Sequence, residues 1–128
     1  MAQAVVTLTL NNPLNSVAAD ETKESEIING IAALTAGGTY LLGGLPLPWT
    51  AIKGPNGIPF LPQSNQTTPY LAYFESVSGS GYIYGWNMAT NTLQIFQSGA
   101  AGAPLAQLGT GVVPAADTIL FQAFFKKA

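Results

Sequence analysis

Six carboxylates (Asp20, Glu21, Glu24, Glu26, Glu75 and Asp117), with the four lysines and five tyrosines, carry whatever acid–base chemistry this chain can perform. The 128 residues contain no histidine, no cysteine and no arginine. Histidine is the side chain that most readily moves a proton near neutral pH. Cysteine and histidine also supply most zinc sites. Catalytic triads, thiol nucleophiles, disulfides and imidazole or thiolate metal centres are therefore closed to it. A facing pair of carboxylates, as in glycoside hydrolysis, remains chemically open. Glu75 and Asp117 lie on or beside expected strands and are the acids from which such a pair would be built. No other feature supports the pairing, so they read more simply as a solvent-facing glutamate and a strand-edge aspartate.

The other acids form a cluster at Asp20–Glu26. Oxygen ligands of this kind suit a hard cation, but the cluster lacks the spacing and central glycine of an EF-hand. It reads as a solvated charged turn, helical or irregular, with Ser16 or Asp20 as its cap. Gly79-Ser-Gly81 and Gly109-Thr-Gly111 lack the following Gly-Lys-Ser/Thr of a phosphate loop and read as turns. Asn65-Gln-Thr67 matches a glycosylation acceptor, but Met1–Leu10 alternates and carries no basic residue, so a secretory leader is not expected and the match carries little weight. The expectation is a protein that is not an enzyme and holds no cofactor and no metal.

Composition points toward packing instead. Charged residues are 8% of the chain, against roughly 25% in an ordinary soluble domain. The mean hydropathy is +0.28, and Asn, Gln, Ser and Thr supply the polarity. Surfaces with few charges repel one another poorly and tend to associate. A net charge of −2 without arginine lacks the basic footprint of a nucleic-acid binder. The uncharged run from Glu26 to Lys53 is broken by Gly30, Gly37, Gly38, Gly43, Gly44, Pro46 and Pro48. A membrane-spanning helix needs about 20 predominantly apolar residues, so no membrane span is expected.

The elements that must position these residues are short strands. Val6, Leu8 and Leu10 alternate with Thr7 and Thr9, the period of a half-buried strand. Glu26–Thr35 suits either strand or helix, with its flanking glycines favouring strand, and Thr39–Leu42 reads as a short strand between two Gly-Gly pairs. Pro46–Pro69 is a long irregular connection with a tight turn at Asn56-Gly57. Tyr70–Val77, Tyr82–Trp86, Thr92–Phe96 and Thr118–Phe125 read as strands. Asn87–Asn91 closes a hairpin, and Ser98–Gly111 reads as a flexible loop. Tyr82, Tyr84 and Trp86 share one face, an aromatic ladder that suits a core, a subunit interface or a sugar-stacking platform. Six to eight short strands with Gly/Pro turns predict an all-β fold, a single small β-sandwich or barrel of jelly-roll type with long Pro/Gly-rich loops. Residues 1–128 then form one β domain, with 1–15 as an extended N-terminal arm.

The segment Gly81-Tyr-Ile-Tyr-Gly-Trp-Asn-Met-Ala-Thr-Asn-Thr-Leu-Gln-Ile-Phe96 resembles a hairpin of small phage virion proteins. There an aromatic strand turns through an Asp/Asn-rich loop into a Leu-x-Val/Ile-aromatic strand. Val113-Pro-Ala-Ala-Asp117 and the apolar strand to Phe125 extend the resemblance to head decoration (cement) proteins and related head or tail components of tailed phages. This hairpin departs from the pattern in carrying almost no charge. The resemblance implies a structural protein of the virion, made in the host bacterial cytoplasm. Such a protein would assemble as a homo-oligomer, commonly a trimer, and bind the major capsid protein on the outer capsid surface. Val6, Leu8 and Leu10 would add a strand to a capsid sheet edge. Pro46, Pro48, Trp49 and Phe60 would be apolar anchors, and Tyr82, Tyr84 and Trp86 an intersubunit face. The alternatives are a tail or neck component and a carbohydrate-binding module using the aromatic ladder.

Overall fold

The computed structural model describes residues 2–10, 17–19, 25–35, 37–52, 68–98 and 104–126. Phe60, the Asn56-Gly57 turn, Asn65 and most of the Asp20–Glu26 cluster lie outside them. The described residues form nine strands: β1 (Val6–Leu10), β2 (Val17–Ala19), β3 (Ser25–Leu34), β4 (Leu45–Pro46), β5 (Leu71–Ser76), β6 (Ile83–Asn87), β7 (Thr92–Ser98), β8 (Leu105–Gln107) and β9 (Asp117–Lys126). A single 3-10 turn, Trp49–Ala51, is the helical element among them.

All strand pairs are antiparallel, and they make two sheets. The first has the order β1-β3-β9-β5, with β2 also on β3; the second has the order β4-β7-β6, with β8 also on β7. This is an all-β sandwich. The barrel alternative is corrected: β5 and β6 lie side by side across the turn that joins them, but no ladder closes one sheet onto the other. Residues 6–10 are likewise a paired strand of the first sheet and not a detached arm.

Alternation sets the inner face. Val6, Leu8 and Leu10 of β1 point inward, as do Ile28, Ala32 and Leu34 of β3 and Ile119, Phe121, Ala123 and Phe125 of β9. Leu93 and Ile95 of β7 close the core from the second sheet. The period-2 rule places one face in the core only if register holds. Gly30 helps to fix it. It pairs with Phe121, and a Cβ there would lie 2.2 Å from the Thr9 carbonyl oxygen and 2.7 Å from the Phe121 ring. A side chain at position 30 and that ring cannot share the space.

Trp49 fills the centre. Its ring meets Phe121 and Phe125 edge-on, with centroids 5.8 Å apart in each case. Its Nε1–H donates to Asn91 Oδ1 at 2.6 Å, which satisfies the polar atom of a buried indole. Asn91 ends the β6–β7 turn in the left-handed region, at φ 53°, which asparagine tolerates better than most residues. Asn87 Oδ1 caps the same turn by accepting from the Ala89 amide at 3.0 Å. The hairpin expected from Tyr82 to Phe96 is therefore present, with Asn87 paired to Thr92.

Two local expectations are corrected. Thr39–Leu42 is not a strand: Thr39 makes one isolated bridge to Gln3, and the chain then turns through Leu42 and Gly43. Paired glycines at φ 106° and 114° (Gly43 and Gly44) reverse its direction. The Ser98–Gly111 loop contains β8, which pairs with the far end of β7. Tyr40 fills the gap between β4 and β8 along that edge of β7. Its hydroxyl accepts from the Ile95 amide at 3.2 Å and from Gln107 Nε2 at 2.5 Å.

Candidate assembly surface

Most of the expected anchors face the chain's own core. Val6, Leu8, Leu10, Trp49 and Tyr84 are buried. Tyr82 and Trp86 are half-buried and pack against the same cluster. The buried ones cover the two sheets from within, and Tyr82 and Trp86 keep part of their surface exposed. The aromatic ladder faces the gap between the sheets, where Tyr84 and Trp86 line a cleft of about 720 Å³ with Phe74 and Phe121. Tyr82 and Tyr84 meet edge-on at 6.2 Å, and the Tyr82 hydroxyl accepts from the Ala115 amide at 3.2 Å. Pro46 is exposed and Pro48 half-buried. They line a shallow apolar groove of about 290 Å³ together with Val5 and Leu47.

The carboxylates are also separated. Glu75 points out from β5, whereas Asp117 points inward from the start of β9 and is only 6% exposed. Four hydroxyls donate to Asp117. Ser76 reaches Oδ1 at 3.1 Å and Ser80 reaches Oδ2 at 2.8 Å, while Ser78 and Tyr84 donate to Oδ1 and Oδ2. Burial pushes this carboxyl up, but bonds from Ser78, Tyr84, Ser80 and Ser76 together hold it below the usual aspartate value. Hydrogen bonds to the charged form act in this direction. Burial, the bond to Asp117 and its negative charge push the Tyr84 phenol far above the usual tyrosine value. The arrangement ties the Ser76–Ser80 turn and β6 to β9. Its acceptor is saturated, and it leaves no proton poised for transfer. Among the described residues no group of three acids, histidines or cysteines is placed to hold a metal ion.

Four exposed aliphatic residues gather elsewhere. Leu41 and Leu42 sit on the turn after Tyr40, and Val112 and Val113 follow the turn at Gly109–Gly111. Their exposures are 52%, 60%, 42% and 46%. The two turns are bonded into one unit. The Tyr40 amide donates to the Val112 carbonyl at 2.7 Å, and the Gly111 amide donates to the Tyr40 carbonyl at 2.8 Å. The Leu42 amide donates to Thr110 Oγ1 at 2.9 Å. The Gly44 amide closes the first turn on the Leu41 carbonyl at 3.0 Å. These four amides are thus satisfied internally, which lowers the cost of bringing the turns into an apolar contact. No charged residue occurs between Glu26 and Lys53 or between Glu75 and Asp117, so neither turn carries one.

These four side chains escaped the sequence reading. The signal was an aliphatic pair beside glycines, at Leu41-Leu42 and again at Val112-Val113. Reading Thr39–Leu42 as a strand hid the first. Comparison with known proteins found no matching family model, no matching curated protein and no matching solved structure. No helix among the described residues is long and apolar enough to cross a membrane.

Proposed function

We propose that this chain is a structural virion protein of a tailed phage, a head decoration protein that binds the outer capsid surface as an oligomer. The observation that carries the reading is the tip built from Leu41, Leu42, Val112 and Val113: a rigid, uncharged, aliphatic projection on a protein nearly free of surface charge. The resemblance of the Gly81–Phe96 hairpin to phage virion proteins supports the same reading.

Energetics favour a repeating partner. Covering the exposed part of each aliphatic side chain contributes about 1 kcal/mol. Four of them give about 4 kcal/mol, which is of the same order as the lower estimates for the freedom lost on association. One tip alone therefore binds weakly. Several tips carried on one oligomer and seated on a periodic lattice bind by avidity, because later contacts form at high effective concentration. The low charge that favours association among copies is the same property that suits a shell.

The test is co-sedimentation with purified tailed-phage capsids, alongside size-exclusion chromatography with light scattering. The intact chain is expected to run as an oligomer and to pellet with capsids. The double variant Leu41→Ser/Leu42→Ser is expected to stay in the supernatant. A strict monomer that leaves every capsid bare removes the reading.

A further inference from the structure

We infer that the outer face of the first sheet is a contact between two copies of this chain, packed face to face about a two-fold axis. This surface is separate from the aliphatic tip, and it names how copies join rather than what they bind.

The central strands carry the first indication. An antiparallel sheet with one face in water alternates apolar and polar residues, whereas strands covered on both faces read as near-continuous apolar runs. β3 reads Ile27-Ile-Asn-Gly-Ile-Ala-Ala-Leu34, and β9 reads Thr118-Ile-Leu-Phe-Gln-Ala-Phe-Phe125. The inward half of each run packs in the core. The outward half presents Ile27 and Ile31 on β3 and Leu120 and Phe124 on β9, and no described residue covers Leu120, which is 44% exposed. Across Ile27–Ala33, Thr118–Phe124 and Leu71–Glu75 the one charged residue is Glu75. An exposed face this apolar marks an interaction surface.

Its pattern is self-complementary. Register sets Phe124 beside Ile27, Gln122 beside Asn29 and Leu120 beside Ile31, so an amide row lies between two apolar rows. Gln122 Nε2 donates to Asn29 Oδ1 at 2.8 Å. That bond leaves Asn29 Nδ2 and Gln122 Oε1, one donor and one acceptor, with no other hydrogen bond among the described residues. β3 and β9 are the middle strands of the order β1-β3-β9-β5. A two-fold axis along the strands, midway between them, lays β3 of one copy over β9 of the other. Leu120 then meets Ile31, Phe124 meets Ile27, and the free Asn29 donor meets the free Gln122 acceptor. The same operation lays β5 over β1. Glu75 stands in the row of Leu120, Ile31 and Thr9, so it faces Thr9 of the second copy and not a second carboxylate. A patch that complements itself in this way is what an isologous contact requires.

The size is sufficient. Strands of five, ten, ten and six residues, at about 4.8 Å by 3.4 Å per residue, make a face of roughly 500 Å². Two such faces reach the roughly 1,000 Å² of a specific interface. Packed sheets lie about 10 Å apart, within reach of one outward side chain from each.

The experiment is size-exclusion chromatography with light scattering on the intact chain, on Leu120→Lys, on Ile31→Glu and on an equimolar mixture of the two variants. Circular dichroism checks that each is folded. The intact chain is expected to run at twice the mass of one copy. Each variant alone places an unpaired charge in the contact and is expected to weaken association at least about a hundredfold. In the mixture the new ammonium faces the new carboxylate, and a mixed dimer is expected to form. Should Ile31→Glu fail to fold, Leu120→Lys alone decides, because it replaces an exposed side chain and leaves the core untouched. Leu41→Ser/Leu42→Ser is expected to leave the dimer intact. A monomer, or a trimer (whose three-fold axis admits no isologous contact), overturns the proposal. So do variants that stay dimeric or a mixture that stays monomeric. A Leu120→Lys chain that remains dimeric but no longer pellets with capsids gives this face to the capsid and overturns it too. A dimer of the expected kind that leaves capsids bare counts against the virion reading alone, and a trimer that pellets with capsids counts against this contact alone.

Discussion

Two turns on this sandwich are held in opposite ways. The Ser76–Ser80 turn is tied by its side chains, which donate their hydroxyls to Asp117. The Tyr40–Gly44 turn is tied mainly by its backbone, to Val112, Gly111 and Thr110. The difference decides what each turn has left to offer. Side chains spent on an internal acceptor cannot meet a partner. A turn stapled through amides and carbonyls keeps Leu41 and Leu42 available. A protein this poor in charge needs both devices, one to lock its two sheets and one to present a surface.

The side-chain staple is the more vulnerable. Replacing Asp117→Ala removes the acceptor of four hydroxyls and leaves the Tyr84 phenol, which is buried, without its partner. Hydrogen bonds to a charged group contribute about 1.5–3 kcal/mol each but do not add fully, so a loss of about 3–4 kcal/mol is expected from urea unfolding. The same site sets an acid limb. The folded carboxyl lies below its unfolded value, so its contribution is complete above the unfolded pKa of about 3.9. It fades as the pH falls below that and is lost once the pH passes the folded value. Unfolding midpoints followed downward from neutral pH should show this fall in the intact chain. In Asp117→Asn, the share due to residue 117 should be absent. Equal acid loss in both proteins would show that the hydroxyl cage stores no charge-dependent stability.

The backbone staple has its own weak point at Gly44. Its φ of 114° disfavours any side chain, and a Cβ there would meet Thr92 Oγ1 at 2.6 Å and the Leu93 carbonyl oxygen at 2.9 Å. Gly44→Ala is expected to cost about 2–3 kcal/mol, from strain and the forced shift of β7. Gly43, at φ 106°, has open space around its Cβ position. Gly43→Ala therefore carries strain alone, about 1 kcal/mol. Thermal melts that rank the two variants in the other order would place the constraint in the backbone and not in the packing against Thr92.

Alternation made the sheets legible. Val6, Leu8 and Leu10 declare an inward face, and so does the closing strand through Phe121, because each sheet covers one side of a single core. The β6–β7 hairpin was legible because asparagine does a specific job at each end of its turn. The site was less legible, for a physical reason. Thr39-Tyr-Leu-Leu42 has strand-forming residue types, yet its conformation is set by Gly109–Val112, which lies nearly 70 positions along the chain, with Leu42 bonded to Thr110 at a separation of 68 residues. No local window contains that partner. The serine cage is similar: Ser76, Ser78 and Ser80 alternate visibly, but the carboxylate that unites them is 37 to 41 residues away. The Leu105–Gln107 strand is too short to show a period at all, and it forms because β7 leaves an edge to pair with.

The smallest effect on stability should come with the largest effect on assembly. Leu41→Ser/Leu42→Ser changes two side chains that are more than half exposed and leaves the amides that staple the turn in place. Exposed substitutions of this kind shift stability by about 0.5 kcal/mol or less. The urea midpoint should therefore match that of the intact chain, while the variant no longer pellets with capsids. Val112→Ser/Val113→Ser, on the partner turn, should behave in the same way, since the two turns form one hydrogen-bonded unit. If either pair lowers stability by as much as Gly44→Ala, those aliphatic side chains are holding the fold. The contrast between a turn that spends its side chains and a turn that saves them would then be lost. If both pairs keep stability and only one abolishes assembly, the contact narrows to a single turn, and the repeating partner meets the tip from that side.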